Sequence, residues 1–509
     1  MAAAGCGPRE TEYQLRLITD SCAAPSPMEG VTHFLFRVTG TGIAAPIEVS
    51  GLATARQLTL PPIPVGANRV VEVRGYNGDP RSGLLVSLGR TLPFDVPGIP
   101  ARLPQDLTVF LRPKNSLLPI SLSISPESCT KMGWPHAGHS ATVLRDGKVL
   151  IAGGFSFNLA TGDRVASIHA ELFDPATGGF SDLPDLASLD AQQSPVLSPR
   201  AFHSANLVED GKVLLAGGET YVGADPTPRP RGDALLFDPQ ARTYRLLDLG
   251  RPRSQHGGIS DSGARVLFLG GITIGGAQAL ALEWYDPART VFTDVPGEQL
   301  GRVQMGTAAV QGGQYVVVAG GSDGVAVSDE VRLYGFDVPT STFVLLSTAR
   351  LLEPRRAPAL SWVGDPVRVV AAGGYSNLSE ITGVSPLAST EVVVSRPQFQ
   401  VSSGPNIGIA RGDACAATLP DGRVLVSGGR GADFNLAARS MENVELIVQS
   451  STGGPPSVLG LPSLARGRFF HTCTPLKDGT LLIAGGVDQQ NPDVEVLQDA
   501  YIFTPAPLD

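Results

Sequence analysis

The sequence predicts an all-β protein: a seven-bladed β-propeller preceded by a small β-sandwich. Three observations carry that prediction. A short segment ending in a glycine pair recurs seven times, the run before each pair is almost uniformly apolar, and no long stretch shows the 3.6-residue period of an amphipathic helix. Composition agrees, because 60 glycines and 42 prolines beside 42% hydrophobic residues describe many short strands joined by turns. A chain of 509 residues has room for one large domain and one smaller one.

Residues 1–7 form an N-terminal tail, Met-Ala-Ala-Ala-Gly-Cys-Gly. Small residues ahead of Cys6 resemble the end of a bacterial lipoprotein signal, although Ala3 stands where leucine is usual and no charged or apolar signal region precedes it. The resemblance implies lipidation at Cys6, anchorage by lipid alone, and an exported protein of the cell envelope, at the outer membrane or cell surface. No apolar run of about 18 residues suits a membrane span.

Residues 8–113 carry alternating stretches separated by Gly, Pro and Asn turns: Tyr13–Leu17, His33–Val38, Val70–Val73 and Leu107–Leu111. Strands with one dry face alternate in this way, and the spacing predicts an immunoglobulin- or fibronectin-like sandwich.

Residues 114–509 hold the repeat. The glycine pairs begin at 153, 217, 270, 320, 373, 428 and 485. Within each unit a first strand ends at a tight turn, such as Asp146-Gly147 or Asp478-Gly479, that suits a positive φ. The second strand, for example Val149-Leu150-Ile151-Ala152, is apolar on both faces, as a sheet sandwiched between neighbours requires. The glycine pair then lets the backbone bend where a β-carbon would clash. A third strand ends in aromatic-Asp-Pro (Phe173-Asp174-Pro175, Phe237-Asp238-Pro239, Tyr285-Asp286-Pro287), and a fourth carries an aromatic such as Phe180 or Tyr244.

Over about residues 115–509 the chain resembles the kelch-repeat family. The resemblance implies four-stranded blades around a central channel. The match is weakest in blades four and five, where the first-strand histidine is absent and the turn irregular. The last repeat stops after a third strand at Tyr501–Phe503, so the stretch near 117–124 is expected to supply the missing fourth strand and close the ring without a bare edge.

A formal charge of −9 and the lack of a basic block exclude a nucleic-acid partner. The connections between second and third strands are long and dissimilar, and they fall on one face of the disc, which predicts a surface for a protein or glycan ligand. Counting back seventeen places from each glycine pair gives Arg200, Arg253, Arg356, Arg411 and Arg468, with His136 in blade one and Val303, beside Arg302, in blade four. Two expectations follow. These groups form a cationic funnel that grips a carboxylate, sulfate or acidic peptide; or each pairs with the acid opening its blade's third strand (Glu171, Asp233, Glu283, Glu330, Glu391, Glu445, Asp499) and locks the blades together, the more economical reading.

His139, His203, His256 and His471 follow at a fixed offset and read as structural residues, so no metal and no cofactor is expected. Cys415 and Cys473 read as small buried fillers, since packed sheets stand about 10 Å apart. With Cys6 acylated, the four remaining cysteines suit disulfides in an oxidising compartment. Kelch-like copper radical oxidases resembling galactose oxidase need a cysteine cross-linked to a tyrosine together with histidine and tyrosine ligands. That set cannot be placed here, and no GxSxG, HExxH, P-loop or dinucleotide motif occurs, so no catalytic residue is assigned. The sequence therefore predicts a non-catalytic binding protein, with an oxidase or carbohydrate-active enzyme on the same face as the alternative.

Overall fold

In a computed structural model of the chain, the described residues run from 13 to 507 except 20–21, 23–24, 56–59, 100–104, 126–127, 159–160, 190–193, 224, 311–312, 364–367, 381–382, 395–398, 433–436, 449–455 and 491–492. Cys6 and the rest of the 1–7 tail lie outside them. Seven four-stranded antiparallel sheets succeed one another as the blades of a β-propeller. Blade one consists of Ser140–Val143, Val149–Ala152, Ala170–Asp174 and Gly179–Asp182, hydrogen-bonded in that order. No helix among the described residues is long and apolar enough to cross a membrane.

The apolar second strands are the dry centre of each blade. Val149–Ala152, Val213–Ala216, Val266–Leu269, Val424–Ser427 and Leu481–Ala484 are buried at every residue. Their side chains meet the next sheet on both sides: Leu150 and Ala152 of blade one share a cluster with Val213 and Leu215 of blade two, and Val149 and Ile151 share another with Leu482 and Ala484 of blade seven. Burial of this kind contributes about 1.5–3 kcal/mol per large side chain. Ring closure follows the expected route. Ser116–Pro119 pairs antiparallel with Ala500–Thr504, with Leu118 opposite Ile502, and completes blade seven.

The glycine pair does what its spacing predicts. Gly153 and Gly154 have φ of +64° and +94°, and a β-carbon on Gly153 would lie 2.5 Å from the Arg200 carbonyl oxygen of blade two. Blades four and five each carry one residue more between arginine and glycine pair, because their first and second strands (Gly306–Val310 with Tyr315–Ala319, Ala359–Val363 with Arg368–Ala372) have five residues where blade one has four.

The expected N-terminal strands form one seven-stranded sheet in which Tyr13–Thr19 runs parallel to Gln105–Pro113. Leu15 and Leu17 at one end of the sheet pack on Phe34, Phe36 and Val73 from its other strands, so the sheet closes over its own core. This unit rests on the short-turn side of blades seven and one: Leu92 packs at Gly147, Arg90 at Gly479 and Phe110 at Gly178. A disulfide between Cys22 and Cys129, 5.4 Å apart at Cα, ties it to the segment that enters the ring.

Among the described residues, four second-to-third connections on the side opposite the short turns form hairpins of their own. They are Phe155–Phe157 with Arg164–Ala166, Glu219–Val222 with Asp225–Pro230, Arg430–Ala432 with Ala438–Ser440, and Val487–Gln489 with Val494–Val496. Each leans on its neighbour, and together they make a wall around blades six, seven, one and two.

Candidate binding site at the mouth of the propeller axis

The arginines form a seam under the mouth of the axis. Arg200 pairs with Asp233 (3.1 Å), Arg411 with Glu445 (2.7 Å), Arg468 with Asp499 (3.3 Å), and Arg253 with Glu283. His136 replaces the guanidinium in blade one, its ring nitrogens 2.6 Å from the Gly153 carbonyl and 3.2 Å from Glu171. The carbonyl of each of these residues accepts a hydrogen bond from the second glycine of the preceding blade, as in Gly154 N–H to Arg200 (2.8 Å) and Gly486 N–H to His136 (2.8 Å). One residue per blade thus fastens its own third strand and the neighbouring blade. Arg200, Arg253, Arg411, Arg468 and His136 have no exposed surface, and burial lowers Arg200 to about 10. This is the blade-locking geometry rather than an open funnel.

Two positions shift by one residue. In blades four and five the seam residues are Arg302, paired with Glu330, and Arg355, paired with Glu391 at 2.5 Å, not Val303 and Arg356. A fixed count of seventeen misses the extra residue in those strands. Arg356 instead points under the mouth, where it stacks on Tyr375 (4.5 Å), donates to the Asn377 and Ser379 carbonyls (2.7 and 2.6 Å) and holds Gln304 at 2.9 Å.

Directly after the seam comes a second ring that the repeat pattern conceals. Gly138, Phe202, Gln255, Gln304, Ala357, Asp413 and Phe470 are equivalent residues, one per blade, and all have φ between +49° and +58°. Their main chains join around the axis: Gly138 N–H donates to Phe470 (2.9 Å), Phe202 to Gly138 (2.8 Å), Gln255 to Phe202 (3.0 Å), Ala357 to Gln304 (2.7 Å) and Asp413 to Ala357 (3.3 Å). A left-handed conformation costs a non-glycine residue roughly 1–2 kcal/mol. Six of the seven bear it and carry a side chain to the mouth, and strain gathered in one place is a pointer to function.

Over Gly138 the rings of Phe202 and Phe470 meet edge to face at 5.0 Å. Phe469 and Arg430 continue the belt on one side, with the Arg430 guanidinium 4.9 Å above Phe469 and 3.3 Å from Asp413. The Tyr375 hydroxyl, with one proton to donate, lies 3.0 Å from Asp413 and 2.8 Å from the Arg430 carbonyl. On the other side Phe155 stacks under Arg164 (4.5 Å), which also covers Tyr221 (5.3 Å). Tyr221 donates to Glu219 (2.6 Å), and Gln255 donates to the same carboxylate (3.2 Å). Burial pushes the Asp413 carboxyl up despite Arg430, and it pushes the Tyr375 and Tyr221 hydroxyls up as well, so both remain donors across the neutral range. Phe202, Gln255, Gln304 and Phe470 are partly exposed, the Arg430 and Asp413 side chains only 12% and 6% so, while Glu219, Arg356 and Tyr375 brace them from below.

The repeated histidines bridge first strands around the ring. His139 bonds Thr472 (3.0 Å), His203 bonds Ser140 (2.9 Å) and His256 bonds Ser204 (3.0 Å), each in the preceding blade. His471 meets the sulfur of Cys415 at 3.2 Å instead. Cys415 and Cys473 are not mere fillers: they form a disulfide with Cα atoms 5.8 Å apart. The ~10 Å spacing of packed sheets does not apply here, because first strands converge on the axis.

No family model matches the chain. Among curated proteins, tRNA wybutosine-synthesizing protein 4 of Saccharomyces cerevisiae is 23% identical over 225 residues, which cover 41% of this chain and 31% of that protein. The chain thus spans less than a third of the length of that relative. A solved fungal alcohol oxidase of the AA5 family, in complex with copper, aligns with a TM-score of 0.54 at 16% identity, over 74% of this chain and 76% of that one. The chain has a galactose oxidase-like propeller fold. The structure of YjhT aligns with a TM-score of 0.46 at 11% identity, over 65% of this chain and 99% of that one.

Likeness at this level is likeness of fold, so copper chemistry has to be read from the residues. They do not fit it. The mouth tyrosines, Tyr375 and Tyr221, are engaged with carboxylates, and the four described cysteines pair as Cys22–Cys129 and Cys415–Cys473, leaving none of them to cross-link a tyrosine. His139, His203 and His256 are spent on hydroxyl partners between blades.

Proposed function

We propose that the chain is a non-catalytic binding protein that takes a glycan at the mouth of the propeller axis. The observation that carries this reading is the left-handed ring. A backbone repeated seven times presents Phe202, Gln255, Gln304, Asp413 and Phe470, side chains that differ from blade to blade, around one point. A saccharide offers hydroxyls that both donate and accept, together with an apolar C–H face. Planar amides, a carboxylate and a guanidinium suit the hydroxyls, and the faces of Phe202 and Phe470 suit the C–H groups. The charges already have partners, Arg430 with Asp413 and Glu219 with Tyr221 and Gln255, so the mouth favours a neutral polar ligand over an ion. Two cross-links are consistent with an oxidising compartment, and the proposed setting is the cell envelope, with anchorage through Cys6.

A glycan array probed with the purified chain tests the reading. Binding should fall at least tenfold in Phe202→Ala and Asp413→Asn while thermal melting stays cooperative. Capture of a protein in place of any glycan would move the ligand class to protein. Binding untouched by both variants would remove the mouth from the function. Fold likeness to a copper alcohol oxidase supports one rival, an enzyme at the same mouth. Release of peroxide from primary alcohols in proportion to bound copper would decide for it.

A further inference from the structure

We propose that the sulfurs of Cys415 and Cys473 and the imidazole of His471 form a redox-gated site for a thiophilic cation, Zn2+, immediately below the axial mouth. The possible ligand atoms of these three residues all lie within 4.8 Å of one another. Cys415 opens its strand two residues after Asp413 of the mouth ring, and His471 directly follows Phe470. In the three equivalent histidine bridges the partner is a hydroxyl, a poor ligand for a soft ion; between blades six and seven it is a cysteine sulfur, with the second sulfur of its disulfide two residues beyond the histidine. Cysteines 5.8 Å apart at Cα can either bond directly or share an ion held at ~2.3 Å from each sulfur.

Further observations support ligation. His471 is buried, and its Nε2 already stands 3.2 Å from the Cys415 sulfur. Ser427 stands opposite Cys415 in the blade-six ladder, fully buried, with a hydroxyl that makes no hydrogen bond among the described residues. It stands across the strand pair from Cys415, on the same face of the sheet, and is the candidate for the fourth position of a tetrahedral ion. Cys415 and Cys473 are only half-buried, which leaves the sulfurs within reach of a reductant or an ion. The ligands come from adjacent strands of a ring and not from one loop, so no zinc-type spacing betrays them in the sequence.

The chemistry balances with a dithiol as reductant. Two electrons and two protons pass to the sulfurs, the Cys415–Cys473 bond breaks, and the reductant closes as its own disulfide. One Zn2+ then displaces the two thiol protons and joins the same two blades that the covalent bond had joined.

The test uses the full chain, reduced with a non-thiol reductant, then loaded with Zn2+ and challenged with a colorimetric chelator. Reduced protein should retain one ion per chain, oxidised protein none, and Cys415→Ser/Cys473→Ser none after the same reduction; that variant keeps Cys22 and Cys129 as an internal control. Loss of an outer-shell partner weakens a metal site about 10–100-fold, so His471→Gln, losing a ligand, should weaken binding by at least that much. Charge-transfer absorption with Cd2+ in the wild type, missing from Cys415→Ser alone, should report sulfur ligation. The proposal is overturned if the reduced wild type holds no more Zn2+ than the double serine variant, if its folded form exposes no additional thiols on reduction, or if His471→Gln binds like the wild type.

Discussion

Arg355 and Arg356 are neighbours in sequence and belong to different parts of the molecule. Arg355 is a seam residue, spent on Glu391 and on the Gly373 carbonyl, and six other blades place an equivalent residue the same way. Arg356 belongs to the mouth, where the equivalent positions are Ala137, Ala201, Ser254, Val303, Gly412 and Phe469. The contrast holds for whole regions. In the seam the chemistry repeats, the side chains are buried and each finds a partner within the scaffold. At the mouth the backbone repeats, down to one left-handed residue per blade, while the side chains change. A ring built in this way separates stability from recognition by a single residue step.

The largest break of that contrast should come from the seam. Arg411→Ala leaves Glu445 buried beside Gly408 N–H (2.6 Å) without its cation. Losing one partner of a buried pair costs about 3–5 kcal/mol, so denaturant midpoints should drop sharply. Arg350→Ala, removed from an exposed pair with Asp329, should cost about 0–1 kcal/mol by the same measurement. Equal losses in the two variants would mean that the seam is no seam.

The next effect is a pH dependence confined to the scaffold. Burial lowers His203 and His471 to about 3 in the folded chain, against about 6.5 for an unfolded histidine. As pH falls, the unfolded chain therefore binds protons first. The contribution is complete above about pH 6.5 and is lost as pH falls toward 3, at up to about 1.4 kcal/mol per pH unit for each histidine. Melting temperatures measured from pH 7 to 4 should decline, and His203→Gln should flatten the slope. A slope identical in wild type and variant would contradict the buried-neutral assignment.

How much of this was legible in the sequence follows the same division. Repetition makes the seam visible: the spacing finds Arg200, Arg253, Arg411 and Arg468 with their acids, the apolar second strands and the closing strand. The same fixed count goes wrong where one added residue in blades four and five hands the seam to Arg302 and Arg355. Proximity across converging strands is not written in any spacing, so the Cys415–Cys473 bond is missed. The mouth is hidden for a deeper reason. Its backbone is left-handed at Phe202, Gln255 and Phe470, residues without the Gly or Asn that usually marks such a conformation. Its columns are recognisable only as those that fail to repeat between columns that do, and that failure is the signal a sequence reading could use.

At the mouth itself, Tyr375→Phe removes the hydroxyl within hydrogen-bond reach of Asp413 and the Arg430 carbonyl. Stability should fall by about 1–3 kcal/mol, because the carboxylate loses a buried donor. Glycan affinity should fall further than stability accounts for, since Asp413 is then free to turn from the ring. Calorimetric titration beside a thermal melt separates the two; a loss of affinity that scales with unfolding alone would return Tyr375 to the scaffold.

The smallest expected effect is the sharpest in sign. Ala357 is the one mouth-ring residue with a methyl group alone, at φ +49°. Replacing it by glycine relieves a left-handed strain of about 1–2 kcal/mol and raises the conformational entropy of the unfolded chain by an opposing ~0.4–1 kcal/mol. The main-chain bonds to Gln304 (2.7 Å) and from Asp413 (3.3 Å) are unaffected, since they need no side chain. Ala357→Gly should therefore leave stability unchanged or raise it by up to about 1.6 kcal/mol, whereas Gly154→Ala in the glycine pair, at φ +94° with the Ala137 carbonyl 2.7 Å from the added carbon, should lower it. If Ala357→Gly destabilises the protein, the ring carries no strain, and the case that six blades keep a side chain there for recognition fails with it.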